Sequence, residues 1–189
     1  MKSIITLCIV VLLGLANNTQ AQSTSNVDPS HSSITFSVGY LGISNVTGNF
    51  NAYEGNIKTT NADFTDAIIS FGVDVNSINT DVEARDNHLK SPDFFDVAKF
   101  PKMTFESTSF NKQGKDYILE GNMTIKSITK KVTFTVKYGG TAKDNYANER
   151  TGLSLKGKIN RNDYGINGGQ GFVGEEVEFT LNLNFIKSK

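Results

Sequence analysis

The sequence is poor in the residue types that most often staple a small protein or hold a metal ion. It has one cysteine, two histidines and no tryptophan in 189 residues. Because Cys8 lies in the N-terminal apolar run, no disulfide framework is available to the rest of the chain. His31 and His88 each lack a second histidine or cysteine at ligand spacing. We therefore expect no metal site and no cofactor, and a fold held by its core alone.

An excess of charge of one sign is also missing. The 19 basic and 19 acidic residues balance, and no block of like charge occurs. Nucleic acid is therefore not an expected partner, and polybasic attachment to a membrane is unsupported. After the N-terminal run, no apolar segment is long enough to cross a bilayer as a helix, so stable membrane insertion is not expected.

The N-terminus has the features of a secretory signal peptide. Lys2 precedes an apolar run over residues 4–15, and Thr19-Gln20-Ala21 ends in a small residue suited to cleavage. The pattern predicts a signal peptide of residues 1–21, cut after Ala21, and a single domain of residues 22–189. The mature protein is accordingly expected in the periplasm or secreted.

Period-two alternation of apolar and polar residues dominates the rest of the chain. In VEFTLNLNF, residues 177–185, every second residue is apolar, which predicts a strand with one buried and one wet face. Eight such runs occur, at about residues 32–40, 46–58, 67–75, 102–110, 116–126, 131–141, 150–160 and 175–186. Eight antiparallel strands joined by short turns can stack as a sandwich or close into a barrel. Closure is favoured because it removes exposed edges, so we predict an all-β, eight-stranded antiparallel barrel.

The second run contains an irregularity. Its apolar parity shifts between Phe50 and Ile57, which predicts a bulge near Glu54 and Gly55.

Residues 79–98 interrupt the strand pattern. Thr80 followed by Glu83 forms a capping box, the helix can run through Lys90, and Ser91-Pro92 ends it. We expect this short helical insertion to lie over the barrel or to plug one end.

One side of this helix carries charged groups. Asp81, Arg85 and His88 are spaced i, i+4 and i+7, beside an apolar stripe of Val82 and Leu89. Three interpretations remain open: an Asp81–Arg85 ion pair of structural value, contact of Arg85 and His88 with the polar head of a ligand, or acid–base catalysis. Catalysis is the least favoured, because no nucleophile or metal accompanies these groups.

The stretch GQGFVG fits Gly-x-Gly-x-x-Gly at Gly169, Gly171 and Gly174, a pattern found in dinucleotide sites. That function needs a helix after the loop, whereas here a strand follows. We predict instead a flexible loop at the barrel mouth. No Gly-x-Ser-x-Gly elbow is present, and no catalytic residues are assigned.

An eight-stranded barrel is wide enough either to be filled by side chains or to hold one small ligand. The inward alternating positions predict a cavity lined by Phe36, Val38, Phe71, Val73, Met103, Phe105, Phe134, Phe179 and Leu181. Leu89, Phe94 and Phe95 are expected to close one end.

Several segments resemble the YceI-like family of exported, lipocalin-like proteins. The resemblance is carried by VDPSHSSITFSVGYLGISNVTGNF (27–50), RDNHLKSPDFFDVAKFPKMTF (85–105), GNMTIKSITKKVTF (121–134), INRNDYGI (159–166) and VGEEVEF (173–179). It implies an eight-stranded barrel with a helical insertion, whose interior binds polyisoprenoids, isoprenoid quinones or related amphiphiles. Tyr40 departs from the family pattern, which often has histidine there, as do Ser127 and Lys131 in place of glycine and proline.

Together these features predict a non-enzymatic carrier that holds a long-chain isoprenoid, an isoprenoid quinone or a similar amphiphilic lipid. The alternatives are a packed barrel that acts as an interaction or stress protein without a ligand, and a lipid-modifying enzyme. The sequence leaves open the head group and chain length of the ligand, and is compatible with a monomer or a homodimer.

Overall fold

The computed structural model describes residues 21–61 and 63–188. The expected signal peptide therefore lies outside the described residues, except for Ala21. In the described ranges, no helix combines the length and the apolar character needed to cross a membrane.

Strands make up most of the described chain and form one sheet in which every pairing is antiparallel. The strands are β1 (Ser23–Val27), β2 (Ser33–Tyr40), β3 (Ser44–Phe50), β4 (Tyr53–Thr59), β5 (Ile68–Asp74), β6 (Ile78–Asn79), β7 (Lys102–Gln113), β8 (Asp116–Ile125), β9 (Ile128–Lys143), β10 (Glu149–Asn160) and β11 (Val173–Lys187). The helix is α1 (Glu83–Lys90), and short 3-10 helices span Pro29–His31, Val75–Ser77 and Arg161–Tyr164.

The sheet closes into a barrel because its last strand pairs with its first. β11 pairs with β1 near its C-terminal end and with β2 along its N-terminal part. β1 and β2 thus act as one bent barrel strand, and so do β3 with β4 and β5 with β6. The result is an eight-stranded up-and-down antiparallel barrel, which confirms the predicted fold. Closure pairs the two edges that an open sheet would expose.

The irregularity in the second run lies earlier than predicted. The chain breaks at Asn51 and Ala52, between β3 and β4, and not at Glu54 and Gly55. A hydrogen bond to the end of β5 stabilises the break, since Asp74 N–H donates to the carbonyl of Ala52 at 2.9 Å. The parity shift itself is confirmed, since Phe50 and Ile57 are both buried. β1 and β6 lie outside the predicted runs, because neither shows a full alternating pattern of its own.

The start of the helix also differs from the prediction. α1 begins at Glu83 after Val82, which has no side-chain cap, so the predicted capping box from Thr80 is wrong. Asp81 has a φ of +62° and turns the chain between Thr80 and the helix. Thr80 N–H and Oγ1–H instead both donate to Asp86 Oδ1, at 2.9 and 2.5 Å. The predicted end at Lys90 is confirmed.

Inside the barrel, several phenylalanine rings lie directly over a glycine. The pairs are Phe71 over Gly55, Phe105 over Gly121 and Phe134 over Gly157. A β-carbon on any of these glycines would stand 2.3 to 2.5 Å from the nearest ring atom. The absence of a side chain at these positions therefore makes room for the rings, and Gly55 serves this packing and not a bulge.

A charged cluster holds the barrel seam at the end opposite α1. Arg150 Nη1–H donates to Asp28 Oδ2 at 2.7 Å and to Asn184 Oδ1 at 2.9 Å, and Nε–H donates to Asp144 Oδ2 at 2.7 Å. These contacts join the β1–β2 bend, the β9–β10 turn and β11. The hydrogen bond from Arg150 is the main cause that lowers the pKa of Asp28 to about 2, and it also holds the pKa of Asp144 below its usual range.

The first prediction concerns the glycine contacts. Gly157→Ala should lower the free energy of unfolding by about 1–3 kcal/mol, because Phe134 must leave its packed position. Gly152→Ala is the control in the same strand, since no atom lies within 4 Å of the β-carbon it would add. Its stability should be equal or slightly raised, because alanine restricts the unfolded chain. Urea unfolding measures both variants, and equal destabilisation of the two would contradict this account.

The second prediction concerns acid. The folded pKa of Asp28 lies below its ordinary value, so this carboxylate stabilises the fold above pH 3.8 and loses that effect as the pH falls towards about 2. Arg150→Met should lower the thermal unfolding midpoint at neutral pH and flatten the pH dependence within that window. Lys156→Met, at an exposed lysine of β10, serves as the control. Thermal unfolding followed by circular dichroism across the window tests this, and an unaltered acid dependence in Arg150→Met would refute it.

Candidate functional site

The middle of the barrel holds an apolar cavity, which we call the lower chamber. The space open to the centre of a water-sized sphere is about 50 Å³. Its wall includes the predicted residues Phe71, Val73, Met103, Phe105, Phe134, Phe179 and Leu181. Ile34, Leu119, Met123 and Leu155 also line it and were not in the predicted set. All four face inward because they continue the alternation of their strands.

A second apolar cavity, the upper chamber, lies between the lower chamber and the helical insertion. Its volume by the same measure is about 70 Å³. The remaining predicted lining residues are found in its wall: Phe36, Val38, Leu89, Phe94 and Phe95. Met103 and Phe179 line both chambers, so the two cavities are adjacent along the barrel axis.

The upper chamber adjoins a wider opening, which we call the mouth. Its volume is about 510 Å³, and it lies between α1, the β2–β3 turn and the loop before β11. Phe36, Val38, Leu89 and Phe94 line both the mouth and the upper chamber. Arg85 and His88, the head-group candidates, also line the mouth. All predicted site residues therefore line the mouth or one of the two chambers. These three adjoining spaces share wall residues from the surface to the barrel centre, and we call the series the path. Contact of its residues with a ligand stays a prediction.

The path is narrow below the mouth. The upper and lower chambers have free volumes of only about 70 and 50 Å³, so the side chains that line them leave little space. A thin chain suits this shape better than a broad ring system. Met103 and Met123 are unbranched and can change rotamer, which allows the chambers to widen around a ligand.

The charged groups at the mouth pair differently from the predicted ion pair. Arg85 does not bond Asp81; its Nε–H donates to Thr80 Oγ1 and an Nη2–H to the carbonyl of Thr80, both at 2.7 Å. His88 Nε2 lies 3.0 Å from Asp93 Oδ2, and its ring packs edge-on against Phe94. The positive φ of Asp81 takes it out of the helix, so the expected i, i+4 geometry does not arise.

Arg161 is a buried cation in the wall of the upper chamber that the sequence interpretation missed. Its side chain donates to four backbone carbonyls, those of Ile166, Gly168, Val173 and Gly174, at 2.6 to 3.0 Å. Burial lowers its pKa below the usual arginine value. A signal was available: the inward parity of β10 includes Leu155 and Ile159, and the next inward position is 161.

Hydrogen bonds from Lys126 and from one backbone N–H tie together the two segments that frame the mouth. Lys126 Nζ–H donates to the carbonyls of Phe94 and Gly165, both at 3.1 Å. Gly168 N–H donates to the carbonyl of Asp93 at 3.1 Å. The turn after α1 is thus joined to the loop that precedes β11.

The glycine-rich stretch lies in this loop. Gly169 and Gly171 have φ of +68° and +82°, and β11 begins at Val173. A strand and not a helix follows the loop, as predicted. The loop therefore does not lead into the helix N-terminus that a dinucleotide site of this pattern needs. Within residues 21–61 and 63–188, no group of three or more His, Cys, Asp or Glu side chains is placed to hold a metal ion.

The third prediction follows from the buried arginine. Arg161→Met should lower the free energy of unfolding by about 3 kcal/mol or more, because buried carbonyls lose their donors. Arg161→Lys should recover part of this loss, since one ammonium cannot reach all four carbonyls. Lys156→Met is the surface control. Urea unfolding gives the energies, and hydrogen exchange should show faster exchange in residues 165–174; wild-type stability and exchange in Arg161→Met would overturn the assignment.

Comparison with known proteins agrees with this architecture. The family model described as "YceI-like domain" matches residues 26–185. Protein YceI of Salmonella arizonae is 32% identical over 159 residues, which cover 84% of this chain and 83% of that protein. The crystal structure of the YceI protein of Campylobacter jejuni is 28% identical, with a TM-score of 0.68 over 78% of this chain and 88% of the other. A polyisoprenoid binding domain from Saccharophagus degradans shares the fold at 15% identity, with a TM-score of 0.64 over 89% and 100% of the two chains.

The family match includes every strand from β2 to β10 and nearly all of β11. It also includes the helical insertion and both chambers, so the similarity is not confined to one motif. The chain belongs to the YceI-like family.

Proposed function

We propose that this protein is a non-enzymatic carrier that holds a long-chain isoprenoid, an isoprenoid quinone or a similar amphiphilic lipid in its barrel. The observation that carries the proposal is the apolar path that runs from the mouth through the upper chamber to the lower chamber. The two chambers are lined almost entirely by apolar side chains, and Arg85 and His88 lie at the mouth. An amphiphile would place its chain in the chambers and its polar head at the mouth.

The energy of chain burial is sufficient for such a role. Burial of about fifteen methylene groups at about 0.8 kcal/mol each contributes roughly 12 kcal/mol. Association costs about 4 kcal/mol or more. The difference leaves room for micromolar or tighter binding, even if Met103 and Met123 must change rotamer to admit the chain.

The ligand class is supported by a relative and by the shape of the chambers. The Saccharophagus degradans domain that shares this fold is named for polyisoprenoid binding. A polyisoprenoid chain is long, thin and apolar, which suits two narrow chambers in line.

A carrier of this kind needs no catalytic group. At the mouth, Arg85 is bonded to Thr80 and His88 lies against Asp93, so both are positioned by protein contacts. We assign these side chains to head-group contact and not to acid–base chemistry. The expected signal peptide supports a periplasmic or secreted carrier, which would move its lipid between membranes or hold it in reserve.

A packed barrel without a ligand is the second candidate. It is favoured by the small free volume of the chambers, about 50 and 70 Å³. Such a protein would act through its surface.

The deciding experiment is mass spectrometry of an organic extract from the natively exported protein. A sample that is unfolded by heat and washed before extraction separates lipid held in the cavity from lipid that adheres to the surface. One isoprenoid or other long-chain amphiphile per protein is the expected result. Empty protein that also fails to take up an added isoprenoid quinone would favour the packed barrel.

The fourth prediction tests the path itself. Met103 lines both chambers, so Met103→Trp should obstruct the passage and reduce retention of a long-chain quinone at least tenfold, while a short-chain quinone is still held above the block. Met103→Leu conserves the volume and should retain both ligands. Circular dichroism checks that the variants fold. Retention of the long chain by folded Met103→Trp would place the ligand outside the chambers.

A further inference from the structure

A patch of exposed apolar side chains borders the mouth on its outer side. We define the rim as Tyr40, Leu41, Ile43 and Phe172, whose exposed fractions are 41%, 47%, 84% and 59%. Tyr40 ends β2, Leu41 and Ile43 lie in the β2–β3 turn, and Phe172 lies in the adjoining loop before β11. Leu41 N–H donates to the carbonyl of Phe172 at 2.7 Å, which joins the loops. Tyr40 and Phe172 also line the mouth, so the rim is continuous with the opening of the path.

The apex of the rim is apolar against the preference of its backbone. Leu41 and Gly42 both lie in the left-handed region, with φ of +55° and +70°. Turns with two such residues favour asparagine, aspartate and glycine, and a leucine there is strained. Leu41 is also half exposed to water, and the neighbouring Ile43 is almost fully exposed. An apolar apex at this position is explained if the rim spends part of its working cycle in a less aqueous environment.

We propose that the rim docks onto a lipid bilayer, with its side chains in the interfacial layer and the mouth facing the membrane. This inference rests on the proposed function, because an amphiphilic ligand resides in membranes and would enter through the mouth. Docking would let the chain pass between the bilayer and the chambers without crossing water. Tyr40 suits the interfacial layer, since its ring is apolar and its hydroxyl is polar.

The backbone at the rim is suited to this environment. Tyr40 pairs with Ser44 in β3 and with Val173 in β11, and Ile43 N–H donates to the carbonyl of Tyr40 at 3.2 Å. These groups keep their hydrogen bonds where water is scarce. A second copy of the chain is a less suitable occupant, because a symmetric contact through the rim would cover the mouth of both subunits.

The first test uses the absence of tryptophan from the chain. Ile43→Trp places a single fluorescent reporter on the rim. Ile68→Trp is the matched control, since Ile68 is 48% exposed and opens β5 at the other end of the barrel. On addition of phosphatidylcholine vesicles, the emission of Ile43→Trp should shift to shorter wavelength and that of Ile68→Trp should not. Equal shifts, or no shift at Ile43→Trp, would overturn the proposal.

The second test removes the apolar apex. Ile43→Asp should lower the fraction of protein that floats with phosphatidylcholine vesicles about tenfold, whereas Ile68→Asp should float like the wild type. Undiminished flotation of Ile43→Asp contradicts the docking. Light scattering tests whether a second copy of the chain covers the rim instead. If the wild type is a dimer that does not bind vesicles, and Ile43→Asp is a monomer, the rim is a subunit contact.

A third measurement separates this inference from the carrier function. Ile43→Asp should take up an isoprenoid quinone dispersed in detergent to the wild-type extent, because Ile43 lies outside the chambers, but should acquire it from vesicles more slowly. Wild-type protein that docks without ever taking up the quinone would support the docking and refute the carrier. Uptake by the wild type without vesicle association would refute the docking alone.

Discussion

Closure of the barrel at β11 is the constraint on which the other features depend. This strand pairs with both β1 and β2, so the last part of the chain must meet the first along its whole length. The first three barrel strands bend to make this possible, at the 3-10 helix Pro29–His31, at Asn51–Ala52 and at the 3-10 helix Val75–Ser77. Closure turns eight apolar faces into one enclosed volume, whose radius follows from the number of strands.

The two ends of that volume are held by different chemistry. At the seam end, Arg150 bonds two carboxylates and an amide, which fixes strands that are distant in sequence. At the mouth, Arg161 and Lys126 bond neutral backbone carbonyls of the loops that frame the opening. Ionic contacts thus secure the seam end of the barrel, and cation–carbonyl contacts hold the loops around the mouth.

The mouth, the chambers and the rim are arranged in one line, and this arrangement connects the fold to the proposed function. Phenylalanine rings over glycines keep the lower chamber narrow, which favours a thin chain. Arg85 and His88 provide polar groups where the path opens. The exposed side chains of the rim adjoin the same opening, where a membrane would have to be if lipid is to enter directly.

Alternation alone was enough to predict the main part of each of the eight barrel strands, though not the short β1 and β6. It also predicted inward residues such as Phe71, Phe134 and Leu181, because the direction of a strand side chain is a local property with period two. The family resemblance was likewise visible in the residues and is confirmed. The bend at Asn51–Ala52, the displaced start of α1 and the partners of Arg85 were not predictable in this way. Arg161 is the clearest example. Its inward direction follows from the parity of β10, but its four carbonyl partners come from the loop before β11 and from the first two residues of β11. Contacts of that kind depend on where distant segments meet, and only the closed barrel brings those segments together.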